Sequence, residues 1–299
     1  MAREAATRDT SHQWLQDIYP EVATQLGVTF IKGPVSTLLS STRNASLRNA
    51  NVNVVVGDRM SENISHLGVP PDRISVVPNW CDDEAIVPLE RESNPLRAQW
   101  HLQDKFVVGY SGNLGRAHEF ETVLAASERL RNNPDVSFLF IGGGHQSAEL
   151  ARRAETQGLK DKFRFFPYQS DQILKYSLSV PDVHWVSLRR ELEGLIVPSK
   201  IYGIAAAGRP TIAVTAKDGE IANLVRTFDC GVVVEPGNAD EMAAAIVRLY
   251  SSDIARTEMG RKARAMLSAQ FTRRQAFERW SRIVDRVLSD SLTSDLPAP

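Results

Sequence analysis

The sequence predicts an α/β protein whose main body is a doubly wound parallel sheet, preceded by a smaller, partial region of the same kind. Three observations point there. From residue 106 onward, short apolar runs of strand length alternate with longer stretches of helical period. Glycine clusters stand directly after two of those runs, at the edge where open parallel sheets hold ligands. Between residues 79 and 104 the periodicity lapses and Asp82, Asp83, Glu84, Pro88, Glu90, Glu92 and Pro95 gather, which reads as a linker.

Taken in order, residues 13–18 form a short first strand, broken at Pro20, with Asp17 and Glu21 at its carboxyl end. A helical or irregular stretch runs to about residue 50. Strands at 52–56 and 74–77 flank a short helix at 61–67 closed by Gly68, so one β-α-β unit is visible. After the linker, strands are expected at 106–110, 136–141, 163–166, 183–188, 211–214 and 231–234. Helices are expected between them at 120–131, 147–157, 170–178, 199–207, 219–226 and 239–250. Two long arginine-rich helices, 256–269 and 273–288, close the chain before a frayed tail. The expected division is 1–95 for a partial first domain, 96–272 for the second, and 273–299 for a terminal helix and tail.

Composition bounds the function. The chain has 299 residues, 42% hydrophobic and 24% charged, with a formal net charge of −1. That is the make-up of a soluble globular protein, without the basic field that nucleic acid requires. Two distant cysteines, Cys81 and Cys230, suit a reducing compartment, and no signal core or bilayer-length apolar run is present. The expected location is the cytoplasm.

The stretch from Glu193 to Pro210 organises the chemistry. Pro198 and Ser199 read as the entry to a short helix, with Ser199 as its cap and Lys200 in the first turn. Free backbone N–H groups beside a cationic side chain suit a phosphate, and an ordinary solvated helix start is the other reading. After the strand at 106–110, Gly112, Asn113 and Arg116 form a loop in which backbone and guanidinium can approach an anion; its glycine spacing is not that of a dinucleotide fingerprint. Gly143 and Gly144 follow the next strand, beside His145, in a tight turn or a site. Tyr168 can hold a planar base or simply pack. Glu193 and Glu191 can accept from sugar hydroxyls or solvate a loop. His118 stands out by position, though packing also explains it, and Arg209 is left outside the site.

The ordered set Val-Val-Pro-Asn79, Tyr-Ser-Gly-Asn-Leu-Gly115, Phe-Ile-Gly-Gly-Gly144, Val-Pro-Ser-Lys-Ile-Tyr202, Ala-Ala-Gly-Arg-Pro210 and Cys-Gly-Val-Val-Val-Glu-Pro-Gly237 resembles the family-4 glycosyltransferases, in particular the bacterial branch that builds surface polysaccharides. The resemblance implies the GT-B fold, with two Rossmann-like domains facing across a cleft. It implies a nucleotide-sugar donor, most simply UDP-linked, held by the second domain, and a glycan or lipid-linked acceptor held by the first. Transfer with retention is the mechanistic expectation that goes with it; no metal is expected, because side chains supply the charge and no acidic pair of ligand spacing stands out, no cofactor is expected, and the charge balance argues against nucleic acid. A lipid-linked acceptor would bring the chain into peripheral contact with the inner face of the membrane, where Lys32, Arg43 and Arg48 could face lipid headgroups; a solvated helix face is the simpler reading of those three. Asp17 would orient the acceptor or act as a base, Glu193 would meet the donor sugar, and Lys200 with Arg116 would hold the diphosphate.

Departures from the family pattern accompany it. Members carry a longer segment ahead of the strand at 13–18, so the first domain is expected to be incomplete. Their spaced glutamate pair falls on Leu195 and Gly203, and the basic pair after the first glycine loop on Asn113 and Glu119. A nucleotide-binding module without catalysis and a nucleotide-sugar epimerase are the alternatives.

Overall fold

In the computed structural model, residues 11–28 and 33–294 are described, with side chains through 289. The chain divides into two compact units. The first comprises residues up to Pro78, the short piece Gly194–Val197, and the chain from Arg274; the second comprises Asn79–Glu193 and Pro198–Arg273.

The first unit opens with strand β1 (His12–Leu15), helices α1 (Glu21–Gln25) and α2 (Pro34–Asn49), strand β2 (Val52–Val55), helix α3 (Asp58–His66) and strand β3 (Ile74–Val76). These strands pair in parallel in the order β1-β2-β3, with His12 opposite Val52 and Asn53 opposite Ile74. All four residues of β2 are buried, as a central parallel strand covered on both faces must be. Alternation decides which face each serves: Val52 and Val54 pack with Val77 against Ile283, Val287 and Trp280 near the chain's end. On β2 the polar Asn53 is buried as well, its amide donating to the carbonyl of Leu47 at 2.9 Å.

The second unit begins with helix α4 (Pro95–Gln99) and strand β4 (Phe106–Asn113). It continues with α5 (Glu121–Arg129), β5 (Val136–Gly143), α6 (Ser147–Thr156), β6 (Phe163–Phe166), α7 (Asp171–Ser179) and β7 (Val183–Ser187). Then come α8 (Lys200–Ala206), β8 (Thr211–Val214), α9 (Glu220–Phe228), β9 (Gly231–Val234), α10 (Ala239–Tyr250) and α11 (Asp253–Gln270); α12 (Arg273–Ser294) carries the chain back into the first unit. Six parallel strands pair in the order β6-β5-β4-β7-β8-β9. The chain therefore winds outward from β4 in one direction, then returns to β7 and winds outward in the other. The carboxyl ends of β4 and β7 flank the point where the winding reverses, which is where open sheets of this class hold ligands.

The core shows why the strands read so clearly in the sequence. Phe106, Val108 and Tyr110 of β4 join Phe138 and Phe140 of β5 in a cluster with α5 and α10, whereas Val107, Leu139 and Ile141 face Leu96, Trp100 and Val180 on the other side. Period two along each strand thus supplies both faces of one sheet.

One expectation differs. The linker at 79–104 groups with the second unit at least from Asn79, and it is tied down rather than loose. Asp182, 7% exposed, accepts from the guanidiniums of Arg91 and Arg97 and from the backbone N–H of Val107 at 2.7 Å. Arg97 also donates to the carbonyl of Val180 at 2.7 Å, and Arg264 donates to those of Asp83 and Ile86. Irregular backbone leaves carbonyls without ladder partners, and arginines satisfy them here; a charged, proline-bearing sequence looks the same whether its charges meet water or backbone.

Candidate functional site

The second unit gathers a polar constellation at the carboxyl ends of β4, β5 and β7. The last residues of β4 and β5 are glycine turns lying side by side, with Gly112 opposite Gly142 and Asn113 opposite Gly143. Gly112, Gly142 and Gly144 have φ of 127°, 131° and 126°, a region that side chains disfavour. A Cβ on Gly142 would stand 2.3 Å from the carbonyl oxygen of Gly112, and one on Gly144 would stand 2.5 Å from the nitrogen of Leu114. The two turns are therefore nested backbone against backbone. They are also latched: Leu114 N–H donates to the carbonyl of Gly143 at 2.7 Å, and the Gln146 side chain donates to the carbonyl of His118 at 2.9 Å. Beside them opens a cavity of about 300 Å³, lined by Tyr110, Gly112, Phe140, Gly143, Phe166 and Pro167 among others.

Lys200, the first residue of α8, lies against these turns. Its Cε would be 2.9 Å from a Cβ on Gly112, so a side chain there would have to push the lysine stem aside, and its Nζ sits 5.3 Å from the ring centre of Tyr110. Nζ also lies 3.0 Å from Nε2 of His118, whose Nδ1 is 2.6 Å from the carbonyl oxygen of Ser187. The chemistry fixes the proton positions. A carbonyl only accepts, so Nδ1 carries the hydrogen and Nε2 presents a lone pair to the ammonium. Burial, then the Lys200 charge, push His118 down to about 4, despite the opposing bond to Ser187, so the ring is neutral at physiological pH. Burial alone lowers Lys200 to about 8, and among the described residues no carboxylate lies within ion-pair distance of its Nζ. The result is a half-buried cation over two glycine turns, short of a negative partner.

Around it, the expected residues fall in different places. Gly112, Asn113, Gly143 and Gly144 are brought together with Lys200. A Cβ on Gly143 would stand 3.2 Å from the edge of the Tyr168 ring, and that side chain is 61% exposed, available for stacking. Arg116 is exposed at the loop rim. Pro198 is buried directly before the helix. Ser199 does not cap it: at φ −70° and ψ −12° it is already helical, its side chain makes no capping bond, and a cap needs the extended conformation. With seven residues, α8 also brings little dipole of its own, so the charge at this site is that of Lys200.

Glu193 has contacts of its own within the second unit. Its carboxylate accepts from the Thr215 hydroxyl and the Glu220 backbone N–H, burial raises its pKa, and Gly219 presses so close that a Cβ there would stand 2.3 Å from Oε1. These contacts hold it at the loop ahead of α9, while its second carboxylate oxygen, Oε2, is buried without a hydrogen-bond partner. Glu191 is an exposed partner of Arg189 at 2.5 Å. Arg209 donates to the carbonyls of Leu89 and Ser179, as befits a residue left outside the site. Glu119 is likewise structural, accepting from Thr122 N–H at 2.7 Å at the start of α5. Asp17 belongs to the first unit, where it bridges Ile196 while the next residue's N–H donates to the carbonyl of Leu195 at 3.0 Å; burial raises its pKa. Lys32 lies outside the described residues.

Sequence reasoning noticed His118 but missed its partnership with Lys200. The two are 82 positions apart, and only the pairing of β4 with β7 makes them neighbours.

Comparison with known proteins follows the same outline. Residues 93–266 match the family model described as glycosyl transferases group 1, which covers more than half of the chain. WcaI of Escherichia coli, named for colanic acid biosynthesis, is 31% identical over 218 residues, 72% of this chain and 53% of its own length. WbjE of Pseudomonas aeruginosa, named as a glycosyltransferase, is 26% identical over 280 residues, 93% of this chain and 68% of its own. The chain thus spans between half and about two thirds of the length of these relatives. The crystal structure of Anabaena HepE in complex with UDP aligns with a TM-score of 0.75 at 18% identity, over 93% of this chain and 72% of that one, which establishes the shared GT-B α/β fold. The chain belongs to the group 1 glycosyl transferases.

Proposed function

We propose that the chain transfers a sugar, with retention, from a UDP-linked donor to a glycan or lipid-linked acceptor in bacterial surface-polysaccharide synthesis. The single observation behind this reading is Lys200, a cation without a described carboxylate partner, held over the glycine turns of β4 and β5. A diphosphate supplies the missing charge. Its oxygens accept from Nζ and from backbone N–H groups of Gly112, Asn113, Gly143 and Gly144, with Arg116 at the rim and Ser199 beside the helix start. The base lies toward Tyr168. Support for a UDP donor comes from HepE, also solved with UDP-glucose, and support for polysaccharide synthesis from the naming of WcaI.

On this reading the C1–oxygen bond to the β-phosphate breaks and its electron pair stays on phosphate. Lys200 is placed to stabilise that developing charge in a site partly shielded from water. The acceptor oxygen bonds to C1 on the face the phosphate leaves, and its proton passes to the departing phosphate oxygen. Asp17, whose pKa burial raises, is the first unit's candidate for orienting the acceptor hydroxyl. Among the described residues no helix is long and apolar enough to cross a membrane. A lipid-linked acceptor would be met by surface contact at the cytoplasmic face.

Calorimetric titration with UDP, GDP and ADP tests the reading. UDP is expected to bind, and Lys200→Met to weaken it about 10- to 100-fold, the worth of one charge-assisted hydrogen bond. Equal UDP affinity in Lys200→Met would remove the proposal's main support.

A further inference from the structure

We infer that His118 is a positioning residue: its imidazole, locked as the Nδ1–H tautomer by the Ser187 carbonyl, holds the Lys200 ammonium where the diphosphate binds. The inference rests on the reading of Lys200 above and goes beyond it by assigning the neighbour that aims the charge.

Five observations converge. His118 is 9% exposed, so its ring has little freedom, and Nδ1 is anchored at 2.6 Å to Ser187 at the end of β7. Its Nε2 faces Lys200 Nζ at 3.0 Å, and a neutral ring with a hydrogen on Nδ1 can only accept there. The Tyr110 ring, edge-on to His118 at 5.9 Å between centroids, closes another side, and the stem of Lys200 rests on Gly112. A lysine tip otherwise carries rotamer freedom that must be lost on binding, and an acceptor that fixes it beforehand lowers that cost.

The neutrality of the ring matters as much as its place. A second cation 3.0 Å from Nζ would expel the lysine, whereas a lone pair holds one ammonium hydrogen and leaves the other two for phosphate oxygens. The three groups act in series: the β7 carbonyl sets the tautomer, the tautomer sets the lone pair, and the lone pair sets the ammonium. Phosphate binding should therefore depend on His118, and nucleoside binding should not.

Two substitutions separate the ring's two bonds. In His118→Asn the amide stands in for Nδ1–H and keeps the Ser187 bond, but nothing reaches Lys200. In His118→Gln the longer side chain places an amide oxygen where Nε2 accepts. Calorimetry with UDP and with uridine is run on both, alongside Lys200→Met, after circular dichroism and a thermal midpoint establish folding. The expected result is about a tenfold loss of UDP affinity in His118→Asn, recovery to within about threefold in His118→Gln, and unchanged uridine affinity in both. UDP affinity retained in His118→Asn but lost in Lys200→Met would overturn the positioning role while sparing the phosphate site. UDP affinity retained in Lys200→Met would overturn the site itself. Parallel loss of uridine and UDP in a folded His118→Asn, without recovery in His118→Gln, would show a packing role and also overturn the inference.

Discussion

Replacing Lys200 by Met should stabilise the unliganded protein at neutral pH while weakening its affinity for diphosphate. Met keeps most of the lysine stem, so packing on Gly112 is largely preserved and the charge is what changes. The magnitude follows from the fall in the lysine pKa from 10.5 to about 8, which burial causes. At about 1.4 kcal/mol per pH unit the buried charge costs ~3 kcal/mol in the folded state. Removing it leaves Nε2 of His118 without a donor, which returns about 1 to 3 kcal/mol, so the net gain is about 1 kcal/mol. For a protein of this size that raises the midpoint by roughly 1 to 2 °C. The pH dependence sharpens the expectation. Below pH 8 the lysine is protonated in both states and its full cost is present. Between about 8 and 10.5 the folded form releases the proton while the unfolded form keeps it, so the unfolded state binds more protons and stability rises with pH. Wild type should therefore overtake Lys200→Met at about pH 9. Urea unfolding of both proteins from pH 7 to 10 measures the gap. A less stable variant at pH 7, with a gap that does not move across this range, would mean that Lys200 already has a compensating negative charge, and the argument for an anion site would collapse.

Other outcomes follow from the same geometry. Glu193→Gln should lower stability by about 1 to 2 kcal/mol through its loop bonds and leave UDP affinity within twofold, measured by urea unfolding and calorimetry; a large loss of affinity with normal stability would place Glu193 at the donor after all. Gly142→Ala must fit a methyl 2.3 Å from the Gly112 carbonyl at φ 131°, so it should destabilise by about 2 kcal/mol or more and abolish UDP binding, and a stable, binding-competent variant would contradict the nested turns. Acid should weaken the fold through buried neutral histidines. His118 and His184 have folded pKa values of about 4, below the ordinary 6.5, so between these values the unfolded state binds more protons and stability falls as pH falls. His184→Gln should flatten that slope by about one proton, read from urea midpoints between pH 4.5 and 6.5.

Much of the fold was legible because its strands are buried on both faces. Runs such as Val107, Val108 and Phe138 to Ile141 cannot be mistaken for surface, and the glycines closing β4 and β5 mark the ligand edge by chemistry alone. Helix α2 was not legible. Of its sixteen residues only Leu47 is buried, so no apolar stripe distinguishes it from a polar loop. The segment at 79–104 misled for a related reason, since arginine-to-carbonyl bonds leave no periodic trace. At the site, Lys200 and the glycine turns could be named from sequence because a phosphate requires charge and close backbone approach. Ser199 and Glu193 were given roles by residue type, and type alone cannot say whether a serine is already helical or which partners a carboxylate already has. The Lys200–His118 couple needs the sheet order, which spacing along the chain does not encode.

The most direct test of the account is the crystal structure of the chain soaked with UDP. It should place the β-phosphate within hydrogen-bond distance of Lys200 Nζ and of the Gly112 to Asn113 and Gly143 to Gly144 backbone, with His118 Nε2 still on the ammonium. UDP bound away from these turns, or Lys200 turned toward solvent while the nucleotide is held, would contradict it.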